Sequence, residues 1–504
     1  MLRSNKIKIV LLLCLCNQTI TQAQTNKIEV KVDSRRVYQT MENFGASDAW
    51  AGQFVGHWPQ QKKDSIADWL FSLDTMKDGS PKGIGLSLWR FNLGAGSTQQ
   101  GDESGINDEW RRAESLLSPS GEIDPSLQSG QQWFLQAAKK RKVPQFLAFL
   151  NSPPVQFTAN RRSFAAKAGE SNLEPAAFDK AAAYIANAVK QLQIRNGISF
   201  NYISPVNEPQ WDWSDGGQEG NPYTNTGIAG FARSLDAAIA KQKLSSKILL
   251  AEAGHIRYLL NDDNKPGKGN QIKDFFVPGN ANYIGNLKSL APVIAAHSYF
   301  STSPFQKSLE NRQRVAEAVA AVRGLSYWQS EYCVLGDNDG EINGGKRDTG
   351  IVSALYVAKV IYADLVAANA SAWQWWLAIS PYDYKDGLVY VDKNKTDGAY
   401  TDSKIMWALG NYSRFVRPGM KRIEAKNDDD RCLVAAFKGA QNKLVFVFTN
   451  LSNDLLDIDL KLSPTAKYKK INSYITSQDK KLHKQPVKSL IRLEPQSITT
   501  LVME

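Results

Sequence analysis

Hydrophobic positions along the chain fall into two regimes. Between residues 43 and 377, short and nearly unbroken apolar runs alternate with longer stretches in which apolar residues recur every three or four positions. The runs lie at 43–47, 84–91, 144–150, 199–206, 247–252, 292–297, 326–331 and 372–377. The longer stretches lie at 62–73, 130–141, 175–193, 229–241, 309–323 and 352–368; in the first, Ile66, Trp69, Leu70 and Leu73 share one side. A strand buried on both faces shows no polar alternation, and a helix covering it is apolar along one stripe. Eight such units predict an α/β fold, a (β/α)8 TIM barrel with enlarged loops. An open doubly wound sheet is the alternative; it is disfavoured because no glycine-rich phosphate loop follows any run.

After Pro418-Gly419 the pattern changes. Runs at 432–437, 443–449, 455–460, 469–476 and 498–503 are short and split by turn residues, with no helical stretch between them. They predict a flanking antiparallel β-sandwich. Near the N-terminus Ile28, Val30 and Val32 alternate as in a half-buried strand, placed to complete that sandwich. The expected organisation is a leader at 1–23, a joining strand at 24–40, the barrel at 41–415 and the β-domain at 416–504.

The leader is a signal peptide by pattern: Arg3, Lys6 and Lys8, then a short apolar run over 9–16, then Thr21-Gln22-Ala23 as a cleavage site. Export, to the medium or a periplasm, is therefore expected. A lipid anchor fits less well, because Leu13 and Leu15 precede Cys14 and Cys16 where a small residue is needed. Loss of the leader leaves Cys333 and Cys432, too few for a disulfide framework. The formal charge of +11 becomes +8 without Arg3, Lys6 and Lys8. Residues 417–504 hold 16 Lys and Arg against 10 Asp and Glu, so most of the excess is in the β-domain. No basic cluster is interleaved with a base-reading motif, so a nucleic-acid partner is not expected. A monomer acting on a carbohydrate is. Thirteen Trp residues suit the flat apolar faces of sugar rings, although many must be core. The acidic loops 337–341 and 392–398 read as turns, the second having Ser403 where a calcium loop needs a bidentate Glu.

Barrel chemistry sits at the C-terminal ends of the strands. The residues closing the runs are Ser47, Asp48 and Trp50; Arg90 and Asn92; Asn151; Asn207 and Glu208; Glu252; His297 and Tyr299; Glu331; and Trp373, Trp375 and Trp376. Pro209 fixes the exit from Glu208, and Trp211 and Trp213 follow it. Ser-His-Asp order and clustered metal ligands are missing from this ring, so neither a metal nor a cofactor is expected. Two carboxylates on runs four and seven face each other across a barrel mouth, with aromatics around them. That is the equipment of glycoside hydrolysis. His297 is open between a satisfied core histidine and a site residue, and Glu252 is read as structural. Trp373 and Trp375 point to one face of their run and Trp376 to the other, so at least one packs under the helices.

Several motifs together resemble glycoside hydrolase family 30. They are Asn43-Phe44-Gly45-Ala46-Ser47, Trp89-Arg90-Phe91-Asn92, Ser152-Pro153-Pro154, Asn207-Glu208-Pro209, His297-Ser298-Tyr299 and Trp328-Gln329-Ser330-Glu331. The resemblance covers nearly the whole mature chain. It implies Glu208 as general acid/base and Glu331 as nucleophile of a retaining mechanism. Asn207 would bond the sugar 2-hydroxyl, Arg90 would keep Glu331 ionised, and Tyr299 would orient it. Trp375 or Trp376 would floor the subsite at the cleavage point, with Trp375 carried as the candidate. Asp48, Trp50, Trp211, Trp213 and His297 complete the expected substrate-binding set. The stretch from Trp211 to Trp213, followed by Gly217-Gln218-Glu219-Gly220, is most similar to the endo-β-1,6-galactanase branch. β-1,6-Glucanase and xylanase are the alternatives within the family, and a non-catalytic carbohydrate-binding barrel is the alternative outside it. The insert over 94–118 would wall the cleft; its Arg111 and Arg112 suit a helix surface better than contact with an acidic side group.

Overall fold

A computed structural model describes residues 26–118, 120–465, 468–487 and 490–504. The expected signal peptide lies outside these residues. Among them, no helix is long and apolar enough to cross a membrane.

The chain opens with β1 (Lys27–Thr40), which belongs to the distal sheet, and then enters the barrel. Its strands are β2 (Asn43–Ser47), β3 (Leu88–Asn92), β4 (Gln145–Phe149), β5 (Tyr202–Ser204), β6 (Lys247–Ala253), β7 (Leu290–His297), β8 (Ser326–Glu331) and β9 (Ala372–Ser380). Each pairs in parallel with the next, and β9 pairs with both β8 and β2, which closes the barrel. Every residue of β2, β3 and β9 is buried. Helices lie on one face and packed side chains on the other, which is why these runs show no alternation. β5 is only three residues long, shorter than the apolar run around it.

The covering helices include Gln60–Phe71, Ser129–Lys140, Phe178–Asn196, Asn225–Gln242, Phe305–Ala320 and Ile351–Tyr362. Phe178–Asn196 stops at Gly197, whose φ of +58° suits a residue without a Cβ. Asn225–Gln242 starts where the Thr224 hydroxyl accepts from the Gly227 amide at 3.1 Å.

Past the barrel, β10 (Gly387–Val391) extends the sheet beyond β9, and β11 (Tyr400–Asp402) pairs with it antiparallel. Helix Lys404–Ser413 follows, with the Ser403 hydroxyl capping it by accepting from Met406 N at 3.1 Å. The remaining strands are β12 (Lys421–Lys426), β13 (Cys432–Lys438), β14 (Leu444–Asn450), β15 (Leu456–Ser463), β16 (Ile471–Thr476), β17 (His483–Pro486), β18 (Ile491–Leu493) and β19 (Ser497–Met503). With β1 they form one continuous nine-stranded sheet, curled so that Ile28, Val30 and Val32 meet Phe446, Phe448 and Leu501 in a common core. The packing is that of a sandwich while the ladder is unbroken. β1 does bridge the two ends of the chain, antiparallel to β12 but parallel to β15, so the domain is not wholly antiparallel.

Candidate active site

Three of the barrel strands carry one extra residue at the rim. On β6, Ala251 and Ala253 oppose consecutive residues of β7, leaving Glu252 unmatched. On β8, Gln329 and Glu331 oppose Ala296 and His297, leaving Ser330 unmatched. On β9, Trp375 and Leu377 oppose Ala46 and Ser47, leaving Trp376 unmatched. A bulge re-aims the side chains around it, and barrel rims are where such bulges gather.

Glu208 sits just past β5 with a left-handed φ of +42°, an uncommon conformation for a residue with a Cβ. Its backbone is gripped from two sides. Its amide donates to the Glu252 carbonyl at 2.8 Å, and its carbonyl accepts from Trp213 Nε1 at 2.9 Å. Across the mouth, Glu331 closes β8. Arg90 Nη1 donates to Glu331 Oε2 at 2.9 Å, and the Tyr299 hydroxyl donates to Oε1 at 3.2 Å. Between the two carboxyl groups stands His297. Its Nδ1 is 2.8 Å from Glu208 Oε1 and 3.5 Å from Glu331 Oε1, and its Nε2 is 3.1 Å from Glu252 Oε2. Ser330 Oγ donates to that same Glu252 oxygen. One donor atom from each of Glu208, His297 and Glu331 lies within 4.8 Å of the others.

Burial pushes the Glu208 carboxyl above the ordinary range, partly offset by the hydrogen bond and charge of His297. Burial alone would lower the His297 pKa. The charge of Glu331 and the hydrogen bonds to Glu208 and Glu252 outweigh it and raise the imidazole to about 10. Burial likewise opposes ionisation of Glu252, but the His297 hydrogen bond and the Arg90 charge hold it down to about 2. Glu208, His297 and Glu331 are spaced as metal ligands could be, yet Arg90 and a cationic His297 already neutralise the carboxylates, so ion pairing accounts for the spacing. Such a pair, one carboxyl poised to give a proton and one carboxylate held by a cation, can split an acetal bond from its two sides.

The cleft above has a volume of about 550 Å³. Asn207, Glu208, Trp211, Trp213, Tyr299 and Glu331 line it. Arg90 and His297 lie just beneath, fully buried against the carboxylates. Asp48 lies deeper: Oδ1 accepts from the Asn92 amide at 2.8 Å and from Gln131 Nε2 at 3.1 Å. Burial, against those hydrogen bonds, pushes its pKa up to about 8. It clamps the ends of β2 and β3 rather than facing the cleft, and its expected substrate contact is corrected on that ground. Trp50 is 5% exposed and meets Trp376 edge-on at 5.3 Å, supporting the cleft wall from behind.

Trp376, not Trp375, reaches the cleft. Trp375 is fully buried beside Trp373, ring centroids 6.1 Å apart, and donates to the Asp386 carbonyl at 2.7 Å. Alternation along the run was the right rule; the bulge decided which face opens to the cleft. Four lining residues had no signal in the sequence: Ser214, Asp215, Leu335 and Phe300, the last 63% exposed with φ of +54° and packed edge-on to Trp211 at 5.6 Å.

The insert is tied down by Glu219, whose buried carboxylate accepts from the amides of Ala95 at 3.0 Å and Ser97 at 3.2 Å and from Ser97 Oγ at 2.6 Å. Arg112 is spent inside the insert on Asp102, at 2.7 Å. Arg111 lies over the rings of Trp50 at 5.4 Å and Tyr382 at 5.1 Å.

A closed barrel with a deep glutamate pair at its C-terminal rim defines a glycosidase. The family model for O-glycosyl hydrolase family 30 matches residues 27–390, and the chain belongs to that family. It is 23% identical over 452 residues to an endo-β-1,6-galactanase from Hypocrea rufa, covering 86% of this chain and 84% of the relative. Among solved structures, a conserved exported protein from Bacteroides fragilis is 33% identical, with a TM-score of 0.87 over 94% of this chain and 99% of the other. The catalytic domain of a xylanase from Talaromyces cellulolyticus is similar with a TM-score of 0.66 at 20% identity, over 94% of this chain and 100% of that domain.

Proposed function

We propose that this O-glycosyl hydrolase is an exported endo-acting enzyme that cleaves β-1,6-linked galactan of the arabinogalactan type with retention of configuration. The observation that carries retention is the separation of the two carboxyl groups. One carboxyl oxygen of Glu208 lies within 4.8 Å of one of Glu331, in keeping with the roughly 5 Å spacing of retaining enzymes, whereas inversion needs about 6.5–9.5 Å to admit a water.

In this reading, Glu208 protonates the glycosidic oxygen as its bond to the anomeric carbon breaks, and Glu331 forms an ester to that carbon. A water then loses its proton to Glu208 and attacks the same carbon. The ester bond breaks and the sugar leaves with its original configuration. Arg90 pairs with the Glu331 carboxylate and holds it in place for the first step. Asn207 Oδ1, without a partner among the described residues, is available to the sugar 2-hydroxyl at the cleft wall. Trp376 floors the subsite at the scissile bond.

Galactan is supported by the relative that matches most of the chain and by the Trp211–Trp213 stretch, whose rings line the cleft beside Glu208. β-1,6-Glucan and xylan are the competing substrates. Export is supported by the leader pattern and by the Bacteroides fragilis relative described as exported. A panel of purified β-1,6-galactan, β-1,6-glucan and xylan, with products sized by chromatography, tests linkage and endo action together. Short galacto-oligosaccharides from galactan alone are the expected result. Binding without product from any of them would mark a carbohydrate-binding barrel instead.

A further inference from the structure

Glu252 is a buried carboxylate beside the glutamate pair that the mechanism leaves unused. It is fully buried, it has a left-handed φ of +52°, and it is the unmatched residue of its strand. The unmatched residue of β8, Ser330, donates to it. Two independent bulges thus converge on one contact, and the carboxylate they position meets the far nitrogen of His297 at 3.1 Å.

We propose that Glu252 is a positioning residue that keeps His297 an imidazolium, so that the Nδ1 proton is shared between Glu208 and Glu331 and follows negative charge from one to the other during turnover. This deepens the retaining reading and rests on it.

The geometry is specific. Nδ1 faces two carboxylate oxygens, at 2.8 Å on Glu208 and 3.5 Å on Glu331. Arg90 donates to the other Glu331 oxygen, Oε2, at 2.9 Å, and the negative charge of that ion-paired carboxylate is shared by both of its oxygens. A bare nitrogen lone pair facing it would be repelled; an N–H is attracted. Nε2 faces Glu252, again an acceptor. Both ring nitrogens therefore carry hydrogen. Arg90 from β3 and Tyr299, two residues past β7, are further charged or titratable groups beside the ring, and neither offers the imidazole a base. The elevated pKa of His297 agrees.

The consequence follows the charge. In the free enzyme Glu331 is anionic and Glu208 protonated, and the Nδ1 proton lies between them. Once Glu331 becomes an ester it no longer attracts the cation. Glu208, having given up its proton, then takes the whole interaction, which favours the carboxylate needed to deprotonate water. No proton leaves His297 at any step. Glu252 balances its charge throughout.

The test uses the full chain and two readouts. The first is NMR of ring-15N histidine, straightforward with four histidines in the sequence. The His297 signal, assigned with His297→Gln, should keep the imidazolium pattern through pH 8 in the wild type and become neutral by that pH in Glu252→Gln. The second is hydrolysis of 2,4-dinitrophenyl β-glycosides of galactose, glucose, xylose and their disaccharides, for which breakdown of the ester limits the rate. Its acid limb should move to higher pH by about one unit in Glu252→Gln, and Glu252→Asp should restore part of it. A purely structural role for Glu252 would lower the rate equally at every pH, and that result overturns the proposal. A neutral His297 in the wild type at pH 7 overturns it as well. Should Glu252→Gln not fold, the wild-type titration alone decides. If no glycoside is turned over by the wild type, the hydrolase reading fails, while the NMR titration still decides the charge state of His297.

Discussion

Individual residues divide by what they touch. Glu208→Gln should lower kcat/KM on polysaccharide by roughly 10²–10⁴-fold, the usual worth of a general acid, and by much less on dinitrophenyl glycosides, whose leaving group needs no proton. Equal losses on both substrates would remove Glu208 from that role. The two neighbouring tryptophans make a sharper pair. Trp376→Ala should raise KM, because the ring lines the cleft, and should cost less stability than the same change at Trp375, because one edge of the ring already faces solvent. Trp375→Ala empties a fully buried site and should cost about 3–5 kcal/mol in urea unfolding. A swap of those phenotypes would return the floor to Trp375. Glu208 and Glu331 were legible in the sequence because each ends an apolar run beside diagnostic neighbours. The partnership of Glu252 with Ser330 was not legible, since it joins two strand ends 78 residues apart through bulges that no local pattern announces.

At the scale of elements, the barrel is braced beneath the site by a buried ion pair. Arg312 from helix Phe305–Ala320 donates through Nε to Asp364 at 2.6 Å, and both side chains are fully buried. Asp364 also accepts from Trp373 Nε1 at 2.9 Å and from the Ser298 hydroxyl at 3.0 Å, next to His297. Asp364→Ala leaves a buried guanidinium unpaired and should cost about 3–5 kcal/mol, read by denaturant unfolding. An effect below 1 kcal/mol would mean that the site is fixed from elsewhere. The helix and strand rhythm was readable because burial on one or two faces writes a period into the chain. The strands β11 and β17 were not, because Tyr400–Asp402 and His483–Pro486 hold no apolar run, and β10 and β18 lie outside the strand–helix rhythm that marked the equally short β2 to β5.

For the molecule as a whole, pH sets the balance of buried charges. Asp48, Glu219 and Asp386 have pKa values pushed up by burial to about 8, about 7 and about 6. The folded state holds these protons more tightly than the unfolded chain. Their contribution is therefore fully present below pH 4 and is lost as pH rises through 6 to 8. Glu252 works in the opposite sense, stabilising above its unfolded value and losing that contribution as pH falls towards 2. Asp48→Asn keeps an oxygen for the Asn92 amide and removes the ionisation. It should shrink the difference in melting temperature between pH 5 and pH 9, and an unchanged difference would exclude Asp48 as a source of the pH dependence.

By itself the sequence determined the barrel, the flanking β-domain with its N-terminal strand, and the two glutamates at opposed strand ends. Periodicity and strand-end chemistry are local properties, written wherever a residue must be buried or exposed. Only the tertiary structure decided that the nine flanking strands form one curled sheet, that Trp376 rather than Trp375 faces the cleft, and that His297 and Glu252 stand behind the glutamate pair. Those outcomes depend on register between strands distant in the chain. A single extra residue at the rim turns a side chain toward a new neighbour without changing the hydrophobic pattern that places the strand.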